Sequence, residues 1–159
     1  MTVSAEPAGA PPGFLEPVFG QRLLARLVDG IVVAGPVLLL TWAVGGRGGR
    51  ALAVAAVSLY EVVAVSVAGR TVGKALFGTR VVDARTGAAP IPLQAVLRWM
   101  VLAGGAFVAL LVPALEGLEV VWFWIAVLPV MSGPLHRGLH DRAARTIVTA
   151  DAIDEEIAI

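Results

Sequence analysis

Four long apolar runs separated by short polar breaks dominate the chain, covering residues 23–44, 51–68, 93–115 and 118–135. As helices rising about 1.5 Å per residue, the longer runs cross a hydrocarbon core of roughly 30 Å. The first ends in the glycine-rich turn at 45–49, the second stops at Gly69-Arg70, and the third is closed by Pro113 and Glu116. The fourth is shorter, aromatic at its start (Trp122, Phe123, Trp124) and interrupted by Pro129 and Pro134. The pattern predicts an all-α membrane protein, a bundle of about four transmembrane helices with a small loop-and-tail element. Residues 69–92 form the one long polar stretch inside the chain. Within it, 79–83 is a short β-branched run, and 146–149 is another. The two read either as strands pairing under the bundle or as amphipathic surface segments. Residues 1–18, Pro-rich and poor in large side chains at their start, are expected to be a disordered tail, and 151–159 an acidic one.

Composition strengthens the membrane reading. The 159 residues are 58% hydrophobic and 15% charged, with a mean hydropathy of +0.85, against about 45–50% and about 25% in an average soluble domain. Twelve basic and twelve acidic residues cancel, so no bulk charge draws the chain to nucleic acid. There is no cysteine, which excludes a disulfide framework, thiolate metal sites and a cysteine nucleophile. Residues 1–13 hold no Arg or Lys, and the first long apolar run follows Arg22 and Arg26, so no secretory signal is expected. Eleven Arg against a single Lys, in an Ala-, Gly- and Val-rich background, suggests a GC-rich bacterial genome.

The distribution of the basic residues sets the expected orientation. With four spans, one side gathers Arg22, Arg26, Arg70, Lys74, Arg80, Arg85, Arg98, Arg137, Arg142 and Arg145, and the other holds only Arg47 and Arg50. The positive side is the cytoplasmic one. Both termini and the 69–92 loop are therefore expected in the cytoplasm of a multi-pass plasma-membrane protein. The basic face would lie against anionic lipid, at about 1 kcal/mol per Arg or Lys near the surface.

A few ionisable groups lie too deep for a surface role. Arg22, Arg26 and Asp29 are spaced i, i+4, i+7 and share one helix face. Asp29 falls roughly 10 Å inside the first run and Glu61 roughly 12 Å from the end of the second, so an antiparallel pair of helices places them at similar depth. Arg26, one turn from Asp29, is within ion-pair reach of it, and Arg98 enters on the third run. Two readings stay open: a proton or cation relay built on Asp29 and Glu61, or a closed salt-bridge network fixing helix register, with the arginines snorkelling. Gly30-xxx-Ala34, Ala64-xxx-Ala68 and Gly104-Gly105 offer close-packing surfaces.

Other candidate chemistry is thin. His136 and His140 stand four apart beside Asp141, but no third ligand at a familiar spacing accompanies them, so no metal is expected. Gly69, Gly73 and Gly78 around Lys74 lack the spacing of a phosphate loop. No nucleophile elbow or Ser-His arrangement is present. No enzyme activity and no cofactor are expected.

Together the segments RLLARLVDG (22–30), GRTVGKALFGTRVVD (69–83), LRW (97–99) and LHDRAARTIV (139–148) resemble the RDD family of bacterial membrane proteins, over about residues 19–150. The family takes its name from one arginine and two aspartates. Arg22 and Asp29 match the first two, with Arg26 as the other candidate arginine, and Asp141 best matches the second aspartate. The cytoplasmic block with Gly69, Arg70, Thr71, Gly73, Lys74 and Gly78 is the most specific part. Ala144-Arg145 stands where Ala-Gly is common in the family. The resemblance implies a membrane location. Some members are regarded as cation/proton antiporters and others are accessory domains. Two functions follow as expectations: a small cation/proton transporter using Asp29 and Glu61, as a homo-oligomer because four short spans give little material for a path, or a non-transporting scaffold or assembly protein that binds a protein partner through its loop and tail.

Overall fold

The computed structural model describes residues 10–11, 14–131 and 135–151. The acidic tail beyond 151, most of the N-terminal tail and the end of the fourth run lie outside the described residues.

Two long helices form the first layer. Helix α1 spans Phe19–Val44 and α2 spans Gly46–Ala68. Gln21 starts α1 by reaching back, its Oε1 accepting the Val18 N–H at 2.9 Å and satisfying a donor the helix leaves open. Gly45 turns the chain with φ +70°, which a side chain would resist. Just beyond it, Gly49 touches α1 so closely that a Cβ would sit 2.8 Å from the Leu40 carbonyl. Both helices are long and apolar enough to cross a bilayer. Their apolar side chains point outward: Trp42 is 84% exposed and Val67 80%. The buried residues of the same helices are Asp29, Glu61 and a few small or branched ones. A polar interior under a greasy exterior is the arrangement a lipid solvent selects.

The third expected span is broken. Helix α4 (Pro92–Leu102) and helix α5 (Gly104–Leu111) meet at Ala103 with a 62° bend. Trp122 explains the break. Its indole N–H donates to the Val101 carbonyl at 2.8 Å, filling the bond that Gly105 N–H would make in a straight helix. Its ring packs over both glycines: a Cβ on Gly104 would lie 2.9 Å from Trp122 Nε1, and one on Gly105 2.7 Å from Trp122 Cβ. The fourth apolar run is helix α6 (Leu118–Val127) continued by a 3-10 turn at Leu128–Met131. It is shorter than a straight crossing of the bilayer requires. Two helices long and apolar enough to span and one bent pair are thus found, with a short apolar helix where a fourth span was expected. Gly30, expected to pack closely, has nothing within 4 Å of a Cβ position. The close approaches fall at Gly49, Gly73, Gly104, Gly105 and Gly138.

One end of the bundle carries a cap. After α2 come the short helix α3 (Val72–Leu76) and strand β1 (Thr79–Asp83), and after the 3-10 turn come helix α7 (Leu139–Ala144) and strand β2 (Thr146–Ala150). The strands pair antiparallel, Val81 opposite Val148 and Val82 opposite Ile147, as the β-branched runs suggested. The sheet buries Val81 and Val148 against Val65 and Ala95. Its other side packs on Phe14, which is 6% exposed. Leu15 continues the contact: its N–H donates to Thr149 Oγ1 and its carbonyl accepts from Ala150. Residues 14–15, expected in a loose tail, are instead held by the sheet, because Phe14 and Leu15 supply the apolar face and edge bonds β2 otherwise lacks.

Asp83 fastens the hairpin loop to α4. Its carboxylate accepts from Gln94 Nε2 at 2.7 Å and from the Arg85 and Thr86 backbone. These bonds, Gln94's first, hold its carboxyl near a pKa of about 2. At the opposite end of the bundle Arg50 pairs with Glu116 at 2.5 Å, and Arg47 donates to the Leu110 carbonyl.

Candidate functional site

The buried charges form two linked clusters where the cap meets the bundle. The first centres on Asp29, 3% exposed on α1. Helix α3 lies across α1 there, and only a glycine lets the backbones meet: a Cβ on Gly73 would fall 2.1 Å from the Ala25 carbonyl. Gly73 N–H donates to Asp29 Oδ1 at 2.8 Å, and Tyr60 O–H donates to the same oxygen at 2.9 Å. Thr71 O–H donates to Asp29 Oδ2 at 2.6 Å. Lys74 Nζ stands 3.6 Å from that oxygen and donates to Thr71 Oγ1 at 3.0 Å. The carboxylate thus has three hydrogen bonds and a cation.

Beside it, Arg26 Nη1 meets Glu61 Oε1 at 2.5 Å, joining α1 to α2. The expected Arg26–Asp29 pair does not form. The i, i+3 step puts both on one face of α1, but Arg26 reaches across to Glu61 on α2, whereas Asp29 is filled from α3. Lys74, assigned by sequence to a cytoplasmic motif, is 5% exposed. Burial pushes its amine down to about 8, and the Arg26 charge pushes the same way. Tyr60 was missed as a ligand of Asp29. Its position one residue before Glu61 is the only trace of it in the sequence.

The second cluster centres on Asp141, 1% exposed at the first turn of α7. Arg98 from α4 brings Nε to 3.0 Å from Asp141 Oδ1, an ion pair whose N–H does not point along the contact. The expected convergence of Arg98 on Asp29 and Glu61 is therefore replaced by a link to α7. Thr146 O–H donates to Asp141 Oδ1 at 3.3 Å. Burial alone would raise this carboxyl, but Arg98, His140 and Arg22 outweigh it and hold it below its usual range. His140 lies with Nε2 3.4 Å from Asp141 Oδ2 and Nδ1 3.2 Å from the Ala126 carbonyl. Burial pushes its pKa down to about 4 against the pull of Asp141, so the ring is neutral near pH 7 and its single N–H can donate to only one of these two acceptors, which face different ring nitrogens. Among the described residues no group of His, Asp and Glu is placed to hold a metal ion.

Among the described residues Arg22, the remaining signature residue, pairs directly with no carboxylate. Its guanidinium donates to the backbone carbonyls of His136 (2.5 Å) and Val148 (3.0 Å), tying α1 to the cap. The rest of the 69–78 block divides by task. Thr71, Gly73 and Lys74 serve Asp29. Gly69 (φ +67°) and Gly78 (φ +58°) turn the chain where a side chain would be strained. Arg70 reaches the surface and pairs with Asp151 at 3.0 Å.

Chemically, then, each buried carboxylate among the described residues is closed by a cation from another element: Asp29 by Lys74, Glu61 by Arg26 and Asp141 by Arg98. Removing either member of such a pair strands a charge, so the network resists opening. Residues 17–145 match the sequence model of the RDD family. No curated protein and no solved structure matches the chain.

Proposed function

Because the chain belongs to the RDD family, we propose that it is a multi-pass cell-membrane scaffold, four passes with both termini in the cytoplasm, that presents its cap to a protein partner. The observation that carries this reading is the closure of every buried carboxylate among the described residues by a cation from a different element. Such pairs fix how α3 and α7 sit on the bundle, and they leave no acid waiting for an ion. The cap's outer surface bears exposed Arg85, Arg142 and Arg145, suited to an acidic partner. Basic residues crowd this end while Arg47 and Arg50 stand at the other, which supports a cytoplasmic cap.

A second reading, a small cation/proton transporter acting as a homo-oligomer, is favoured by one feature. The Lys74 amine is pushed to about 8 beside Asp29, so proton loss near physiological pH would free that carboxylate for a cation. Flux through purified protein in liposomes under an imposed pH gradient separates the two. The scaffold predicts proton movement no faster than in protein-free vesicles with sodium or potassium outside. It also predicts that Asp29→Asn and Glu61→Gln lower thermal stability and leave flux at that background. A saturable, cation-dependent flux lost in Asp29→Asn would establish the transporter instead.

A further inference from the structure

We propose that the open pocket where the β1–α4 loop meets the end of α7 is a binding site for a water-borne phosphate monoester, held by Arg85, Arg137 and Arg145. The pocket measures ≈ 430 Å³, and Asp83, Ala84 and Gln94 complete its lining.

Backbone strain marks the site. Arg145 caps α7 with φ +54° and ψ +41°, the left-handed conformation. Glycine or asparagine ordinarily fills such a position, because an L side chain there crowds its own backbone. The Arg145 side chain is exposed at the pocket, with no ion pair or hydrogen bond among the described residues. Strain kept for a side chain that fastens nothing in the fold points to a function for that side chain. Its backbone carbonyl accepts from the Ala84 N–H at 2.9 Å, which sets it beside Arg85.

The other two arginines converge there. Arg85 is exposed, with its backbone N–H tied to Asp83 Oδ1 at 3.0 Å. Arg137 is fixed by two backbone carbonyls: Nε donates to Thr146 at 3.0 Å and Nη2 to Asp141 at 3.3 Å. Its Nη1 makes no hydrogen bond among the described residues and is not sealed from solvent. Elsewhere on the cap Arg70 and Arg80 share Asp151, whereas among the described residues these three pair with no carboxylate. Asp83 lines the same pocket, but its oxygens are filled by Gln94, Thr86 and the loop backbone.

Charge selects the ligand. Three guanidiniums against the one Asp83 carboxylate leave two positive charges in excess around the opening. A phosphate monoester carries about −1.5 to −2 near pH 7 and offers three acceptor oxygens, which guanidinium forks match. A carboxylate or a phosphate diester brings one charge only. Ala84 is the only apolar residue in the lining, so acyl chains find no wall there.

The test is phosphorus NMR of glycerol phosphate added to the full chain in non-ionic detergent, with binding read as line broadening. One exposed ion pair is worth up to about fivefold in affinity, so glycerol phosphate should bind about fivefold more tightly than dimethyl phosphate, which lacks one charge. Arg145→Gly is the decisive variant. Glycine adopts φ +54° without strain, so the thermal midpoint should equal or exceed that of wild type while the affinity for glycerol phosphate falls about fivefold. Arg85→Gln keeps the backbone bond to Asp83 and should weaken binding to a like extent. Equal binding of the two phosphates, or undiminished affinity in Arg145→Gly, overturns the proposal. So does a midpoint lowered by Arg145→Gly, which would mean that the side chain serves the fold. Displacement of glycerol phosphate by phosphatidic acid at far lower concentration also overturns it, by making the site one for a lipid headgroup. Such a pocket would serve a scaffold or a transporter alike, so its failure leaves the flux result standing.

Discussion

Adding one methyl group at Gly73 should detach α3 from α1. The new Cβ would stand 2.1 Å from the Ala25 carbonyl and 2.9 Å from Asp29 Cγ, where ordinary contact begins at 3.4 Å. The backbones must part by about 1.3 Å, and neither neighbour can yield: Ala25 is 2% exposed inside a regular helix. The Gly73 N–H to Asp29 bond, now 2.8 Å, then passes out of range, and the Thr71 and Lys74 contacts loosen with it. Overpacking costs about 1–3 kcal/mol, and a lost hydrogen bond to a buried carboxylate about 1.5–3 kcal/mol. A chain of this size loses about 2–4 °C per kcal/mol, so the thermal midpoint of Gly73→Ala should fall by roughly 10 °C. Gly78→Ala, in the same block, is the control. Its φ of +58° is strained for a side chain but nothing lies within 4 Å, so it should cost only about 1–2 kcal/mol. Thermal unfolding in detergent, followed by circular dichroism, reads both. A Gly73→Ala midpoint within experimental error of wild type, or a larger loss at Gly78, would refute the backbone-to-backbone docking of α3.

Two further outcomes follow from the Asp141 cluster. His140 has its pKa pushed down from 6.5 to about 4, so between those values the unfolded chain binds the extra proton. Stability should therefore fall as pH drops through that window, by up to about 3 kcal/mol; His140→Gln should flatten the acid limb of a plot of unfolding midpoint against pH, and an unchanged limb would show that the ring does not titrate this way. Arg98→Leu strands the buried Asp141 carboxylate and should cost about 3–5 kcal/mol. Arg98→Leu with Asp141→Leu should recover part of that loss in a double-mutant cycle, and strict additivity of the two would deny the pairing.

The local signals in the chain were sufficient for whatever depends on local chemistry. Apolar runs longer than a soluble core needs marked both long helices, and two β-branched runs marked candidate strands, whose pairing rather than a surface placement only the structure decided. The i, i+4, i+7 spacing put Arg22, Arg26 and Asp29 on one face of α1, and the RDD motifs marked Thr71, Gly73 and Lys74 of the Asp29 cluster but not Tyr60. The choice of partners was not local. Lys74 and Thr71 reach Asp29 across more than forty residues, and Arg26 pairs with Glu61 across the α1–α2 contact while α3 fills Asp29. Trp122 breaks the third apolar run from twenty-one residues away. Helix and strand formation respond to neighbours along the chain, whose periodicity a sequence displays. A buried charge responds to whichever opposite charge or carbonyl packing brings within about 3 Å, and that distance exists only once the helices have been laid against one another.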